Sequence, residues 1–166
     1  MNNRANVHVK KWPRKNLGEV IDFLERVNPE GVSLQTLADK FGVTRGSISN
    51  MFSKDDMKLS KAESIANGYG YELKLFFPRR IHKDGFVPPE PKREFPNAAN
   101  LSGLVKYIHD SDYSFSWVGE VNGISANVLT RAFEKGDISI RTLKKIIDNL
   151  GLCVIWSFEP RKEKEN

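Results

Sequence analysis

The chain is poor in the residues that catalysis and secretion commonly use. It has one cysteine, Cys153, in 166 residues, which excludes an intrachain disulfide and gives no sign of secretion. Its three histidines, His8, His82 and His109, are scattered, and no carboxylate pair, cysteine–histidine set or metal-ligand spacing accompanies them. We therefore expect no enzyme activity, no catalytic residue, no bound metal and no cofactor.

Long apolar runs are missing as well. No segment approaches the roughly 18 consecutive apolar residues that a membrane-spanning helix needs. Residues 1–15 are polar and basic and lack the apolar stretch of a signal peptide. We expect a cytoplasmic protein with no membrane partner.

Charge is present and unevenly distributed. Residues 1–80 contain 14 Lys or Arg and 9 Asp or Glu, which gives +5. Residues 81–99 contain three of each sign and residues 100–166 contain nine of each, so both segments are neutral. A basic domain suits a polyanionic partner, because every phosphate contact releases condensed counterions. A basic surface that serves only solubility remains the alternative.

The sequence repeats itself at an offset of 81 residues. Gly42-Val43-Thr44 falls on Gly123-Ile124-Ser125. Further matches pair Phe52 with Phe133, Lys54 with Lys135, Ile65 with Ile146, Gly70 with Gly151, Phe77 with Phe158 and Arg80 with Arg161. Upstream the offset becomes 84, where Asn16-Leu17 falls on Asn100-Leu101. The repeat predicts two related units rather than one large domain.

These matches define the expected domain boundaries. The first unit covers residues 1–80, with an N-terminal arm and a terminal strand, and the second covers residues 100–160. Residues 81–99 form a proline-rich linker, because proline removes backbone donors and favours extended chain. The polar residues 161–166 are expected to be a disordered tail.

Each unit is predicted to contain four helices and one strand. In the first, Leu17, Val20, Ile21, Leu24 and Val27 recur at helical spacing. Ser33, Thr44 and Ser60 are expected to cap the next three helices, with Gly42 ending the second. The strand is expected at 72–77. In the second unit, helix one carries Leu101, Leu104, Val105 and Ile108, Ser125 caps helix three, which buries Val128 or Leu129, and the strand is expected at 152–158.

The central pattern of each unit is a short helix, a glycine and a second helix with a Ser or Thr cap. The first copy reads LADKFGVTRGSIS at 37–49, and the second contains FEKG at 133–136 and TLKKIIDNLG at 142–151. This sequence resembles the Cro/CI-like (XRE-type) helix-turn-helix family over about residues 17–77 and 101–158. The resemblance implies a mainly α fold of two tandem lambda-repressor-like four-helix units. It also implies sequence-specific binding of double-stranded DNA by a bacterial or phage transcriptional regulator of the repressor type.

The resemblance and the helical pattern together predict which residues contact DNA. The third helix of such a unit enters the major groove, where Arg pairs with guanine and Asn with adenine. The expected contacts in the first unit are Gln35, Thr44, Arg45, Gly46, Ser47, Ser49, Asn50 and Lys54. Those in the second unit are Ser125, Asn127, Thr130 and Arg131. Arm residues Lys10, Lys11, Arg14 and Lys15 are further phosphate-contact candidates.

Two questions stay open at this level. The terminal strands can pair within one chain, as an intrachain pseudo-dimer, or between two chains of a homodimer, because a lone edge strand needs a partner. The alternative function is a protein-interaction module, such as an antitoxin or a phage accessory protein, that uses the fold without reading DNA. Four aromatic residues are candidates for such a surface: Trp12, Phe76, Trp117 and Trp156.

Overall fold

The described part of the chain is mainly helical and carries a small two-stranded antiparallel sheet, which confirms the predicted mainly helical class. The computed structural model describes residues 12–76, 115–135, 138–150 and 152–162. Its elements are α1 (Gly18–Val27), α2 (Leu34–Phe41), α3 (Arg45–Ser53), α4 (Leu59–Gly68), β1 (Tyr71–Phe76), α5 (Phe115–Asn122), α6 (Ala126–Glu134), α7 (Ile140–Asn149) and β2 (Ile155–Pro160). The expected helix at 101–108, the linker at 81–99, Lys10 and Lys11 lie outside the described residues, as do residues 163–166 of the expected tail.

The 81-residue repeat is present in the helices. Helices α5, α6 and α7 begin and end 81 residues after α2, α3 and α4, respectively. The glycine after α2 and the glycine after α5 both adopt left-handed backbone, with φ of 63° at Gly42 and 67° at Gly123. This conformation strains any residue with a Cβ atom. The repeat is therefore present in the backbone conformation as well as in the sequence.

Side-chain caps set most of these helix starts. The Ser33 hydroxyl accepts a hydrogen bond from the Thr36 N–H, and the Thr44 hydroxyl accepts one from the Ser47 N–H. Ser139 caps α7 in the same way. The predicted cap at Ser60 is wrong, because α4 begins one residue earlier, at Leu59, after Lys58. There the Leu59 N–H donates to the carbonyl of Ile138 in the other half. A backbone hydrogen bond between the halves, rather than a side-chain hydroxyl, therefore satisfies the first N–H of α4.

A symmetric pair of backbone hydrogen bonds joins the two halves around Lys58 and Ser139, at a point called the crossing below. Leu59 N–H donates to the Ile138 carbonyl over 2.8 Å, and Ile140 N–H donates to the Met57 carbonyl over 2.9 Å. The two donors, Leu59 and Ile140, are 81 residues apart, and so are the two acceptors, Met57 and Ile138, so each bond is the equivalent of the other with the halves exchanged. Lys58 and Ser139 face each other at the centre as an antiparallel bridge. The two halves are thus related by a pseudo-two-fold axis at this bridge.

The strands pair within the chain. β1 lies antiparallel to β2, in a register that runs from Tyr71 opposite Pro160 to Phe76 opposite Ile155. The predicted limits of β2, 152–158, are wrong, because the strand begins three residues later and ends two residues later. Phe77, predicted to end β1, lies outside the described residues. After α7 the Leu152 N–H bonds back to the Ile147 carbonyl, and this extra loop delays the strand. The strands are consequently offset by 84 residues.

A shared apolar core lies beneath the sheet and the helices. Buried residues from both halves belong to one contiguous cluster. The ring of Phe23 on α1 stacks on Phe158 of β2, with centroids 4.3 Å apart and planes 12° from parallel. Phe23 was not among the predicted core positions, since its partner lies in the other half of the chain. Packing across the repeats therefore fixes α1 against the sheet.

Polar contacts reinforce the same junction. The Lys144 ammonium lies 2.8 Å from a carboxylate oxygen of Glu19, and the Arg141 N–H donates to the Asp56 carboxylate. Across the sheet, Lys74 lies 2.9 Å from Glu159. The hydrogen bond from Lys74 lowers the pKa of Glu159 below its ordinary value. Such exposed pairs add little stability individually, but all of these join one half to the other.

The buried carboxylate of Asp55 holds the start of α1. It accepts hydrogen bonds from the backbone N–H groups of Asn16 and Leu17, at 3.0–3.1 Å. Asp55 has a φ of 55°, in the left-handed region, where Asp is tolerated better than most residues. The carboxylate thus supplies the acceptor that the first turn of α1 lacks locally.

Candidate nucleic-acid interface

Two matching turns present the starts of α3 and α6. In the first turn, the Gly42 N–H bonds to the Ala38 carbonyl at the end of α2, and Thr44 caps α3. In the second, the Ile124 N–H bonds to the Gly119 carbonyl over 2.8 Å, and the Ser125 hydroxyl accepts from the Val128 N–H over 3.3 Å. The predicted caps at Thr44 and Ser125 are therefore confirmed.

Close approach of the two helices in each turn requires a small residue. Ala38 of α2 is buried. At the matching position in the second half, a Cβ atom on Gly119 would lie 2.5 Å from the backbone oxygen of Ile124. That oxygen belongs to the turn itself and has little freedom to move. This contact explains why glycine stands where the first half has Ala38.

The outer face of α3 is polar and accessible. Ile48 and Phe52 point into the core, whereas Gly46, Ser47 and Asn50 are exposed at helical spacing. Arg45 is exposed too, and no carboxylate among the described residues pairs with it. Thr44 and Lys54 are exposed at the two ends, and Ser49 is half-buried. The eight candidates of the first half thus include a contiguous surface on one helix.

Gly46 leaves the backbone of this surface uncovered. A Cβ atom built on it would have no neighbour within 4 Å. Packing therefore does not require glycine here, although glycine weakens a helix relative to alanine. What the missing side chain provides is access to the first-turn N–H groups, which point along the helix axis and attract anions.

The matching face of α6 differs in chemistry. Asn127, Thr130 and Arg131 are exposed, as is the capping residue Ser125. The Thr130 hydroxyl donates to the Ala126 carbonyl over 2.8 Å, so its proton is engaged within the helix while its oxygen lone pairs can still accept. Of the two predicted core alternatives, Leu129 is buried and Val128 is 58 % exposed. The second face therefore combines polar groups with one exposed valine.

Other candidates are engaged within the protein. The Gln35 amide donates to the Asp39 carboxylate over 2.8 Å. The backbone carbonyl of Lys54 accepts from the Arg141 guanidinium, while the Lys54 side chain stays exposed. The Arg14 guanidinium lies 2.7 Å from both Asp22 and Glu25. Arg14 was proposed as a phosphate contact, but these two carboxylates already neutralise it. Both carboxylates lie on α1, 8 and 11 residues after Arg14. The charge pattern of residues 14–25 could therefore have indicated these ion pairs from the sequence.

The aromatic residues considered for protein binding are mostly packed. Trp12 stacks on Phe52 with centroids 4.4 Å apart. Phe76 and Trp156 are half-buried in the sheet. Trp117 is 38 % exposed, and it lies on α5 with Val121, which is 42 % exposed. An apolar surface thus exists only on the second half among the described residues.

The junction residues were not anticipated from the sequence. Arg141 and the crossing at Lys58 and Ser139 support both faces, yet no local pattern distinguishes them. The one available signal is that Lys58 and Ser139 are themselves separated by the repeat offset. Symmetry partners of this kind can meet only at a two-fold axis.

Comparisons with known proteins add no assignment. No protein family, curated protein or solved structure matches the chain. Within the described residues, no helix has the length and apolar character to cross a bilayer, and no group of three or more His, Cys, Asp or Glu side chains is placed to hold a metal ion. The geometry of the two helix faces is therefore the basis for a functional proposal.

Proposed function

We propose that this protein binds double-stranded DNA through two helix-turn-helix units and acts as a transcriptional regulator of the repressor type. The observation that carries the proposal is the pair of capped, exposed helix starts, α3 and α6, held by equivalent glycine turns on either side of a pseudo-two-fold axis. A pair of two-fold-related helices is the arrangement with which helix-turn-helix regulators bind two half-sites about one turn of B-DNA apart. A bound regulator of this kind blocks access to the DNA that it covers.

The first half supplies the stronger contacts. Its formal charge of +5 favours the phosphate backbone. Arg45 pairs with the O6 and N7 acceptors of guanine, and Asn50 pairs with the N6 and N7 groups of adenine. The backbone N–H groups of Arg45 and Gly46 and the hydroxyls of Thr44 and Ser47 bind phosphate. These contacts orient α3 in the major groove.

Fluorescence polarisation tests the proposal directly. The full chain is titrated against random-sequence duplex DNA at two salt concentrations, and preferred sites are then selected from the pool. We expect salt-sensitive binding that enriches a defined motif. A folded protein that does not bind duplex DNA at low salt would refute the proposal.

A pair of charge reversals locates the interface. Arg45→Glu is expected to reduce affinity at least a hundredfold, since a charge-assisted contact becomes a repulsion. Arg161→Glu changes the net charge equally at an exposed position after β2 and serves as the matched control. Equal losses in the two variants would mean that overall charge, rather than the face of α3, determines binding.

A protein-interaction module is the second candidate function. It is favoured by Trp117, Val121 and Val128, the exposed apolar residues of α5 and α6, whose counterparts at an offset of 81 are Thr36, Lys40 and Ser47. Under this alternative, Arg45→Glu leaves partner binding intact, and no duplex sequence is enriched.

A further inference from the structure

We infer that one chain reads one non-palindromic DNA site, in which Val128 recognises the methyl group of a thymine in the second half-site. This inference rests on the proposed function and specifies the class of target. A regulator assembled from two identical chains presents two identical helices and therefore selects a palindrome. The present chain has a comparable two-fold arrangement with two unlike helices.

The two-fold arrangement is complete within one chain. The hydrogen bonds between Leu59 and Ile138 and between Ile140 and Met57 join the halves at the axis, and β1 pairs with β2 along six residues of each strand. The ion pair between Glu19 and Lys144 crosses the same junction. Both helix faces are therefore positioned without a second molecule.

The side chains on these faces differ at nearly every position. Arg45 of α3 is matched by Ala126 of α6, and Gly46 by Asn127. The sixth residue of each helix is Asn50 in α3 and Arg131 in α6. A guanidinium that projects from the first residue of one helix and from the sixth residue of the other addresses base pairs at different places within each half-site. The two half-sites cannot then be the same sequence in inverted orientation.

Val128 adds an apolar contact to the second half-site. It occupies the third position of α6, where α3 has Ser47, and it is 58 % exposed. Its N–H is held by the Ser125 cap, which fixes the backbone of that turn. The major groove presents one apolar group, the C5-methyl of thymine. An exposed valine in the first turn of a groove-binding helix is suited to that group.

The charge distribution makes the two half-sites unequal in strength. The second half is neutral and the first carries the whole net charge. Since phosphate neutralisation supplies most of the sequence-independent affinity, the first half anchors the complex. The second half then contributes more to discrimination between DNA sequences than to affinity.

Site selection with the unmodified full chain, followed by native mass spectrometry on the selected duplex, tests the inference. We expect a motif with two unlike half-sites about ten base pairs apart and one chain per duplex. A palindromic motif bound by two chains, or a motif with a single half-site, overturns the inference and leaves the proposed function standing. A failure to bind any duplex at low salt removes the proposed function itself.

Replacement of thymine by deoxyuridine tests the role of Val128. This change deletes the methyl group and keeps the hydrogen-bonding pattern. At the relevant thymine we expect about a fourfold loss of affinity for the unmodified protein, the value of one buried methyl group. Val128→Ser is expected to bind both duplexes equally. Val121→Ser, the same change at an exposed position on α5, should retain the fourfold preference.

Equal binding of thymine and deoxyuridine duplexes by the unmodified protein at every second-half thymine would overturn the role of Val128. So would a preference that persists in Val128→Ser. Either result would be compatible with a monomeric complex on an asymmetric site, because stoichiometry and motif are measured separately.

Discussion

Replacing Gly46 by alanine should make the protein more stable and a weaker DNA binder. A Cβ atom at Gly46 meets no neighbour within 4 Å, so the substitution introduces no clash. Alanine favours helix over glycine by roughly 0.5–1 kcal/mol in a helix interior. Gly46 is the second residue of α3, where the helix constrains the chain less, so about 0.5 kcal/mol is expected.

The same methyl group would stand in the space through which DNA approaches the helix backbone. We expect at least a tenfold loss of affinity, because a phosphate or base edge in contact with the Gly46 backbone is pushed outward. Urea denaturation followed by circular dichroism measures the first effect, and polarisation with a selected duplex measures the second. The two quantities should move in opposite directions.

Gly119→Ala provides the contrasting control. It places a Cβ atom 2.5 Å from the Ile124 oxygen and should cost about 1–3 kcal/mol, as overpacking usually does. A Gly46→Ala variant with unchanged affinity would refute close backbone approach at this residue. A destabilised Gly46→Ala variant would contradict the free space around Gly46, on which the expected gain in stability depends.

Three further predictions concern the framework that holds the two faces. Asp55→Ala should lower the free energy of unfolding by about 2–3 kcal/mol, because the buried N–H groups of Asn16 and Leu17 lose a charged acceptor. Asp55→Asn keeps one acceptor and should lose about half as much stability. Equal losses for the two variants in urea titrations would contradict this account. Phe158→Ala should cost about 2–3 kcal/mol by removing the ring that stacks on Phe23, and a change below about 0.5 kcal/mol would show that the contact is dispensable. The pKa of Glu159 is lowered chiefly by its hydrogen bond with Lys74, so this pair contributes stability above the unfolded pKa of glutamate and loses it as the pH falls through the lowered folded value. A carboxyl NMR titration should show the Glu159 midpoint rising in Lys74→Gln, and an unmoved midpoint would assign the shift to another cause.

Local chemistry made the helices predictable. Left-handed glycines end α2 and precede α6, and hydroxyl caps start α2, α3 and α6. These signals act within four residues, so periodicity and caps together locate the helix ends. The sequence offset of 81 carries over to the helices for the same reason.

Contacts between the halves were not predictable from local patterns. The burial of Phe23 depends on Phe158, and the start of α4 depends on Ile138. In both cases the deciding partner lies in the other half. The late start of β2 instead follows a local turn in the second half, closed by the hydrogen bond from the Leu152 N–H to the Ile147 carbonyl, which the 81-residue match did not predict. The candidate DNA-contacting residues were placed on α3 and α6 because their positions follow from the caps, whereas the charge partner of Arg14 was missed.

The crossing at Lys58 and Ser139 has a consequence for the order of folding. These residues are 81 positions apart, and the strand partners are separated by a similar length of chain. Contacts such as α2 against α3 join near neighbours and form quickly, whereas closing a long loop costs entropy before any new contact offsets it. The helices of each half should therefore form early, and the meeting of the halves should limit the folding rate. A substitution at the crossing would slow folding more than one on the exposed face of α3.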